Sequence, residues 1–313
     1  MKVLVVARCK ENGYAPFITE QVEALKQLGV ECQFFPLKYK GLWGYLKLLP
    51  ELNKAIRAFS PDIIHSHYGL SGVFANMQRR IPVVTTYHGS DINDKMVLKL
   101  SKISIRFSRF NIFVSQDNIN TAMPKRNYAL IPCGINLSDY EPVIEKKDAR
   151  GIMGLAPDIK IVLFSGAFDN TIKNAPLAKE AVALVPDARL VELKGYTRNQ
   201  VTTLMHAADC FLMTSFSEGS PQVIKEALAC GCPIVSVDVG DVRDLINGIN
   251  GCYIADWTPT DLAAKINLAF LSGRCTSGKD RLLQRGLANN QVAQKIHNIY
   301  TRLIYSEMDE NSR

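Results

Sequence analysis

Residues 209–234 read DCFLMTSFSEGSPQVIKEALACGCPI, and they leave a chain like this few folds to choose from. Cys210 to Thr214 is a short apolar run, the length of a buried parallel strand. Ser215 to Gly219 is a polar, Gly-containing break. Ser220 and Pro221 then predict a helix start, with a hydroxyl at the N-cap and a ring at the first helical position that lacks only an N–H the first turn cannot pair. Val223, Ile224, Ala227 and Leu228 form a helical apolar face, and Gly231 ends it. Pro233 to Val237 predicts the next buried strand. Strand, loop, helix, strand in this order implies a parallel α/β sheet. The loop lies at the carboxyl end of a strand, where such sheets bind ligands.

Two carboxylates frame the unit. Glu218 is on the loop, and Glu226 is about one and a half turns into the helix. A helix N-terminus offers N–H groups and positive potential, which suits a phosphate. A carboxylate accepts two hydrogen bonds, which suits paired hydroxyls of a sugar or ribose. Either Glu alone is an ordinary surface residue; the complete string is a candidate sugar, phosphate and ribose site.

The beginning of the chain repeats the pattern. Lys2 to Ala7, Ile18 to Leu28 and Val30 to Pro36 read as strand, helix and strand, with Gly13 in the first loop and no G-x-G-x-x-G. Asp62 to His67 (DIIHSH) and Pro82 to Tyr87 (PVVTTY) are further strands. His67 and Tyr68 end the first of these; His88, Gly89 and Asp91 follow the second. Residues 95–110, KMVLKLSKISIRFSRF, place Lys95, Lys99, Lys102, Arg106 and Arg109 on one helical stripe and Met96, Leu100, Ile103, Phe107 and Phe110 on another. Two readings stand there: a helix packed on the sheet with a solvated basic rim, or adsorption on an anionic membrane surface. No base-reading motif accompanies it, so nucleic acid is not an expected partner.

Glu141 to Asp158 is charged and contains Gly and Pro, which sets a domain boundary. The expected organisation is a first domain over 1–142, a linker at 143–158, a second domain over 159–288, a helix at 289–306 and a disordered tail at 307–313. In the second domain, Lys160 to Ser165 reads as a strand, and its following loop holds Gly166 and Lys173.

The string Glu218, seven residues, Glu226, then A-L-A-C-G-C-P-I-V resembles the donor signature of retaining glycosyltransferases of the GT-B fold, glycosyltransferase family 4 (glycosyltransferases group 1). H-G at His88, L-I-P-C-G-I-N at 130–136 and D-V-G-D-V-R-D-L-I-N-G-I-N-G at 238–251 also resemble that family. The resemblance implies two doubly wound Rossmann-like domains facing across a cleft, with a last helix crossing back to the first domain. It implies transfer of a hexose or N-acetylhexosamine from a nucleoside-diphosphate sugar to a hydroxyl of a glycan or lipid-linked acceptor. It assigns His88, Lys173 and Glu218 as catalytic, and Gly166, Lys173, Glu218, Gly219, Ser220, Val223 and Glu226 to the donor. Gly13, His67 and Tyr68 fall on the acceptor side. The family's usual Arg after Gly166 is Ala167 here, leaving Lys173 for the diphosphate, and Pro221 removes one N–H from the usual cradle. No D-x-D pair occurs, so neither metal nor cofactor is expected. The alternatives are a non-catalytic GT-B-like partner subunit and a nucleotide-sugar epimerase or hydrolase.

Composition narrows the setting. No apolar run approaches the roughly 18 residues of a membrane span. The eight Cys include no C-x-x-C pair and read as reduced thiols of a cytoplasmic protein, in solution or peripheral on the inner membrane face. The net charge of +7 is lopsided: residues 1–142 carry 18 Lys and Arg against 11 Asp and Glu, while 143–313 carry 19 of each. A basic first half suits an anionic partner.

Overall fold

The computed structural model describes residues 1–311 apart from Lys10, Asn12, Lys40 and Thr276. It divides into two compact units, residues 1–134 with 287–313, and residues 135–286. Each is built on one all-parallel sheet.

The first unit has six strands: β1 (Lys2–Arg8), β2 (Glu31–Leu37), β3 (Ile63–His67), β4 (Val83–Tyr87), β5 (Phe110–Phe113) and β6 (Tyr128–Leu130). Their order is β2-β1-β3-β4-β5-β6. Helices cover both faces, so β3 and β4 are buried at every position. On one face Val3, Val5, Val84 and Ile112 pack against Ile18, Val22 and Leu25 of the Pro16–Gln27 helix. The same cluster takes Val292, Ala293, Ile296, Ile299 and Tyr300 from the last helix, so the chain's end belongs to the first unit as expected.

The second unit has β7 (Lys160–Phe164), β8 (Ala188–Glu192), β9 (Cys210–Met213), β10 (Ile234–Val237) and β11 (Cys252–Ala255), in the order β11-β10-β9-β7-β8. Strand order reverses beside β7 and β9, and the loops after those two strands carry the donor candidates.

Three expectations about organisation differ. The division falls after Gly134, eight residues before the expected 142. Residues 143–158 are not an open linker: Lys146–Met153 is a helix clamped to the second unit. Arg150, almost wholly buried, donates to the carbonyls of Ala207, Ala156 and Pro157 and pairs with Asp209 at 2.5 Å; Lys146 pairs with the same carboxylate. A charged stretch folds here because one buried carboxylate collects its cations, a partner composition cannot show. Finally, the last helix runs Asn289–Asn311, past the Ser306 expected to end it. Neither Gly nor Pro follows Gly286, so nothing in the backbone chemistry stops it. Of the expected disordered tail, Ser312 and Arg313 lie outside the described residues.

Candidate active site

In the second unit, two loops are sewn together where β7 and β9 end. Thr214, just past β9, donates through its hydroxyl to the carbonyls of Lys173 and Asn174 at 2.9 and 3.0 Å. The Phe216 N–H donates to Ile172 O at 2.9 Å. These bonds fix the Thr171–Lys173 turn beside the loop carrying Glu218. Lys173 Nζ stands 2.6 Å from Glu218 Oε1, and each side chain is 17% exposed. The Lys173 stem lies across Gly166, where a Cβ would come within 3.1 Å of its Cγ. Gly166, Lys173 and Glu218, seven and 45 residues apart in sequence, therefore form one group. An ammonium with three N–H donors can hold Glu218 and still reach an anion.

The Glu218 loop is braced from beneath. Gly240 sits at φ +58, and a Cβ there would lie 2.4 Å from Gly219 O, so only glycine fits. The Asp241 N–H donates to Gly219 O at 3.2 Å. Ser220 is not the N-cap expected of it: the helix spans Gln222–Ala229, Pro221 is the cap residue, and no side chain caps it. The Ser220 hydroxyl instead donates to Asp241 Oδ2 at 2.5 Å. This competing carboxylate, 21 residues on, moves the helix start by one residue. Val223 lies half-buried in the first turn, where N–H groups lack helical acceptors.

Glu226 is half-buried near Tyr140, a residue the sequence reading did not single out. Burial first, then the Glu226 charge, pushes the Tyr140 phenol well up. Tyr140 Oη accepts from Arg198 at 3.4 Å, and Arg198 pairs with Asp139 at 3.3 Å. Leu137–Tyr140 falls within the 1–142 expected of the first domain; it belongs to the second unit.

In the first unit, neighbouring strands β3 and β4 carry a histidine chain. His67 Nδ1 lies 3.0 Å from His88 Nε2, and His88 Nδ1 lies 3.5 Å from Cys133 Sγ. The His88 ring is flanked by Phe17 and Tyr68, each with its centroid 4.7 Å away. His65, stacked on His67, bonds Tyr300 and Thr86. Burial holds His67 well below the usual histidine range and His65 down at about 3. Both rings are neutral at pH 7, and each has one N–H to place. The H-G-S-D turn is fixed by Asp91, whose buried carboxylate accepts N–H bonds from Gly69, His88 and Gly89. Burial raises that carboxyl to about 6, against the pull of those bonds. Tyr68 caps the Gly69–Ala75 helix at φ 73, a rare backbone conformation for an aromatic residue. Burial also pushes its phenol up to about 12. Gly13 sits at φ +90, which favours glycine, with open space around a Cβ.

The basic helix spans Lys95–Phe107, capped by Asp94. Its packed face is neither of the two expected stripes. Ser101 and Ser104 are buried against Gly69 and Gly72, where a Cβ on either glycine would lie 2.0 Å from the facing serine hydroxyl. Because the two helices meet through serine and glycine, Met96 (72% exposed), Ile103 and Phe107 (43% each) remain at the surface among the basic residues. Among the described residues, no helix is long and apolar enough to cross a membrane.

Two parallel doubly wound sheets in one chain are the architecture of the GT-B fold, and comparison with known proteins agrees. Residues 6–139 match the family described as Glycosyltransferase Family 4, and residues 169–270 match Glycosyl transferases group 1. Each unit is thus similar to a glycosyltransferase domain family over most of its length. It is similar to the candidate teichuronic acid biosynthesis glycosyltransferase TuaC of Bacillus subtilis, 29% identical over 218 residues, 60% of this chain and 56% of that protein. It is 24% identical over 297 residues to D-inositol 3-phosphate glycosyltransferase of Mycobacterium marinum, covering 78% of this chain and 63% of that one. The chain therefore spans less than two thirds of these relatives' length. Among solved structures, it superposes on sucrose-phosphate synthase from Thermosynechococcus elongatus with a TM-score of 0.82 at 17% identity, covering 98% of this chain and 100% of that chain. It superposes on Anabaena Alr3699/HepE in complex with UDP-glucose with a TM-score of 0.74 at 18% identity, covering 96% and 100%.

Proposed function

We propose that the protein is a retaining glycosyltransferase, moving a hexosyl or N-acetylhexosaminyl group from a nucleoside-diphosphate sugar to a hydroxyl of a glycan or lipid-linked acceptor. Cell-surface polysaccharide or glycolipid synthesis, including lipopolysaccharide, is the setting that fits its relatives. The observation that carries this reading is the Lys173–Glu218 pair over Gly166, an ammonium suited to a phosphate tied to a carboxylate suited to sugar hydroxyls. TuaC is named for a polysaccharide, and HepE for a complex with UDP-glucose, which supports a sugar nucleotide as donor.

The reaction breaks the bond between the anomeric carbon and the diphosphate oxygen. It forms a bond from that carbon to the acceptor oxygen on the same face. The acceptor proton passes to the departing phosphate, so no enzyme nucleophile is consumed. Lys173 and the first turn of the Gln222–Ala229 helix neutralise the charge growing on the diphosphate, so the reaction draws on neither metal nor cofactor. Glu218 orients the sugar, Glu226 the ribose, and His88 serves the acceptor side. A panel of uridine, guanosine and adenosine diphosphate sugars with candidate acceptors tests this by the configuration of the product. An inverted anomer defeats the stereochemistry, and nucleotide release without acceptor selects a hydrolase or epimerase instead.

The ribose assignment has its own test. Glu226→Ala should weaken binding of the nucleoside diphosphate about tenfold, the loss of one charge-assisted hydrogen bond. Calorimetry with an unchanged Kd would remove Glu226 from the site.

The surface of the Lys95–Phe107 helix is proposed to rest on anionic lipid. Its basic residues meet headgroups, while Met96, Ile103 and Phe107 enter the interface. Each cation near such a surface contributes about 1 kcal/mol. Replacing Lys99, Lys102 and Arg106 by Ser should therefore cut binding to phosphatidylserine-containing vesicles about a hundredfold. Co-sedimentation that is equal for the variant, or equal on neutral vesicles, removes this role.

A further inference from the structure

A cavity of about 250 Å³ opens at the amino end of the first unit's sheet, away from His67 and His88 at the carboxyl end. Its walls are the 78–82 turn, which enters β4, and Phe107 with Arg109, which lead into β5. Three of the lining side chains are arginines: Arg79 and Arg80, both exposed, and Arg109, half-buried. Among the described residues, no Asp or Glu lines the cavity, and neither Arg79 nor Arg80 pairs with a carboxylate.

The turn is held in this shape by its own side chains. Gln78 is buried, and its amide oxygen accepts the backbone N–H of Arg80 and of Ile81, each at 2.8 Å. Its amide nitrogen donates to Ile81 O at 2.7 Å. Between those bonds Arg79 sits at φ +59, a left-handed conformation that usually selects Gly or Asn. Its guanidinium carbon lies 4.1 Å from the Phe107 ring centroid, so the cation rests over the ring. A ring face holds the guanidinium but neutralises no charge, and the five N–H donors of the fork have no carboxylate to meet. The Arg109 N–H donates to Val83 O at 2.8 Å, which ties the two walls together.

Three guanidiniums around a small cavity without acids suit a compact dianion, because arginine meets phosphate oxygens with two parallel N–H bonds. The volume is below the roughly 300–1,000 Å³ of clefts that enclose a drug-sized ligand, so it suits a phosphate group and not a whole nucleotide. We propose that this cavity is a binding site for a phosphate monoester, with Arg79 and Arg80 as its principal ligands and Phe107 as the platform under Arg79. The same chemistry is offered by a small soluble phosphate ester and by a lipid headgroup. The site is independent of the donor reading, which concerns the second unit. It also differs from the basic surface of the Lys95–Phe107 helix, because it selects a monoester over other anions of equal charge.

Glycerol phosphate titrated into protein carrying isotope-labelled arginine tests the site by NMR. The Nε–H resonances of Arg79 and Arg80 should shift together and saturate. In Arg79→Gln, the Arg80 resonance should report binding about tenfold weaker, the loss of one set of charge-assisted bonds. Arg79→Lys keeps the charge but not the fork, and should recover little of that loss. Vesicles of phosphatidic acid and of phosphatidylserine, matched in surface charge, separate the two sources. A preference for phosphatidic acid that is abolished in Arg79→Gln with Arg80→Gln assigns a lipid headgroup. Saturable binding of glycerol phosphate without that preference assigns a soluble ester. Replacing Lys99, Lys102 and Arg106 by Ser should weaken both vesicles alike and leave the glycerol phosphate shifts in place, so the membrane surface and this site fail separately. The proposal is overturned if wild-type protein shows neither saturable shifts nor the phosphatidic acid preference. It is equally overturned if whichever of these it shows persists in Arg79→Gln with Arg80→Gln.

Discussion

Lys173→Met should lower kcat for glycosyl transfer by about 10²–10³, the range seen when one donor to a developing oxyanion is removed. Methionine keeps an unbranched apolar stem, so the packing across Gly166 survives and the loss is one of charge. That charge matters most as the diphosphate departs and less in the ground state, so kcat should fall more than KM rises. Lys173→Arg should not restore activity. A planar guanidinium has a different reach from a compact ammonium, and the stem over Gly166 has little room to adjust. Glu218→Gln separates the two roles: it keeps the shape beside Lys173 but removes the charge that holds its ammonium. It should raise KM for the sugar nucleotide as well as lower kcat. Steady-state kinetics on the three variants decides the matter, and a Lys173→Met enzyme within threefold of wild type would remove Lys173 from the chemistry.

Much of this site could be read in the sequence, for physical reasons. A buried parallel strand, a polar break and an amphipathic helix have local signatures, so 209–234 was legible as one unit. Gly166 and Lys173 were legible as members of the loop after β7. Their contact with Glu218 was not, because it depends on Thr214 and Phe216 joining two loops about 40 residues apart. Ser220 failed as a cap for the same kind of reason. A serine before proline is a good local N-cap, but a carboxylate 21 residues away bids more strongly for the same hydroxyl. The basic helix shows the limit of periodicity. Its apolar stripe was visible, but which stripe is buried depended on Gly69 and Gly72, whose missing side chains admit serines and leave Ile103 and Phe107 outside. His67 and His88 were each legible at a strand end. Only the parallel pairing of β3 with β4 brings their rings within hydrogen-bond distance.

That histidine chain carries the second large effect, a loss of first-unit stability as pH falls from 6.5 to 4. His65 is wholly buried, and burial holds it at about 3, against about 6.5 in an unfolded chain. A depressed histidine adds stability that is complete above the unfolded value and is lost as pH falls toward the folded one. Over that window the unfolded chain binds a proton that the folded one refuses. His65 alone should cost about 2 kcal/mol by pH 5 and about 3 kcal/mol by pH 4. His67, also held low by burial, acts with the same sign. Asp91 acts against them: its carboxyl is raised to about 6, so the folded state takes up a proton first and gains about 1 kcal/mol by pH 5. The histidines prevail because two of them oppose one carboxyl, and their window extends lower. The sequence has two tryptophans, Trp43 in the first unit's range and Trp257 in the second. Urea unfolding of a Trp257→Phe protein, followed by Trp43 fluorescence, isolates the first unit. Its stability should fall steadily from pH 6.5 to pH 4. His65→Gln in that background should make the slope shallower by about 1.4 kcal/mol per pH unit, one proton's worth. An unchanged slope would mean that His65 already titrates in the folded protein, and that its bonds to Tyr300 and Thr86 do not keep it neutral.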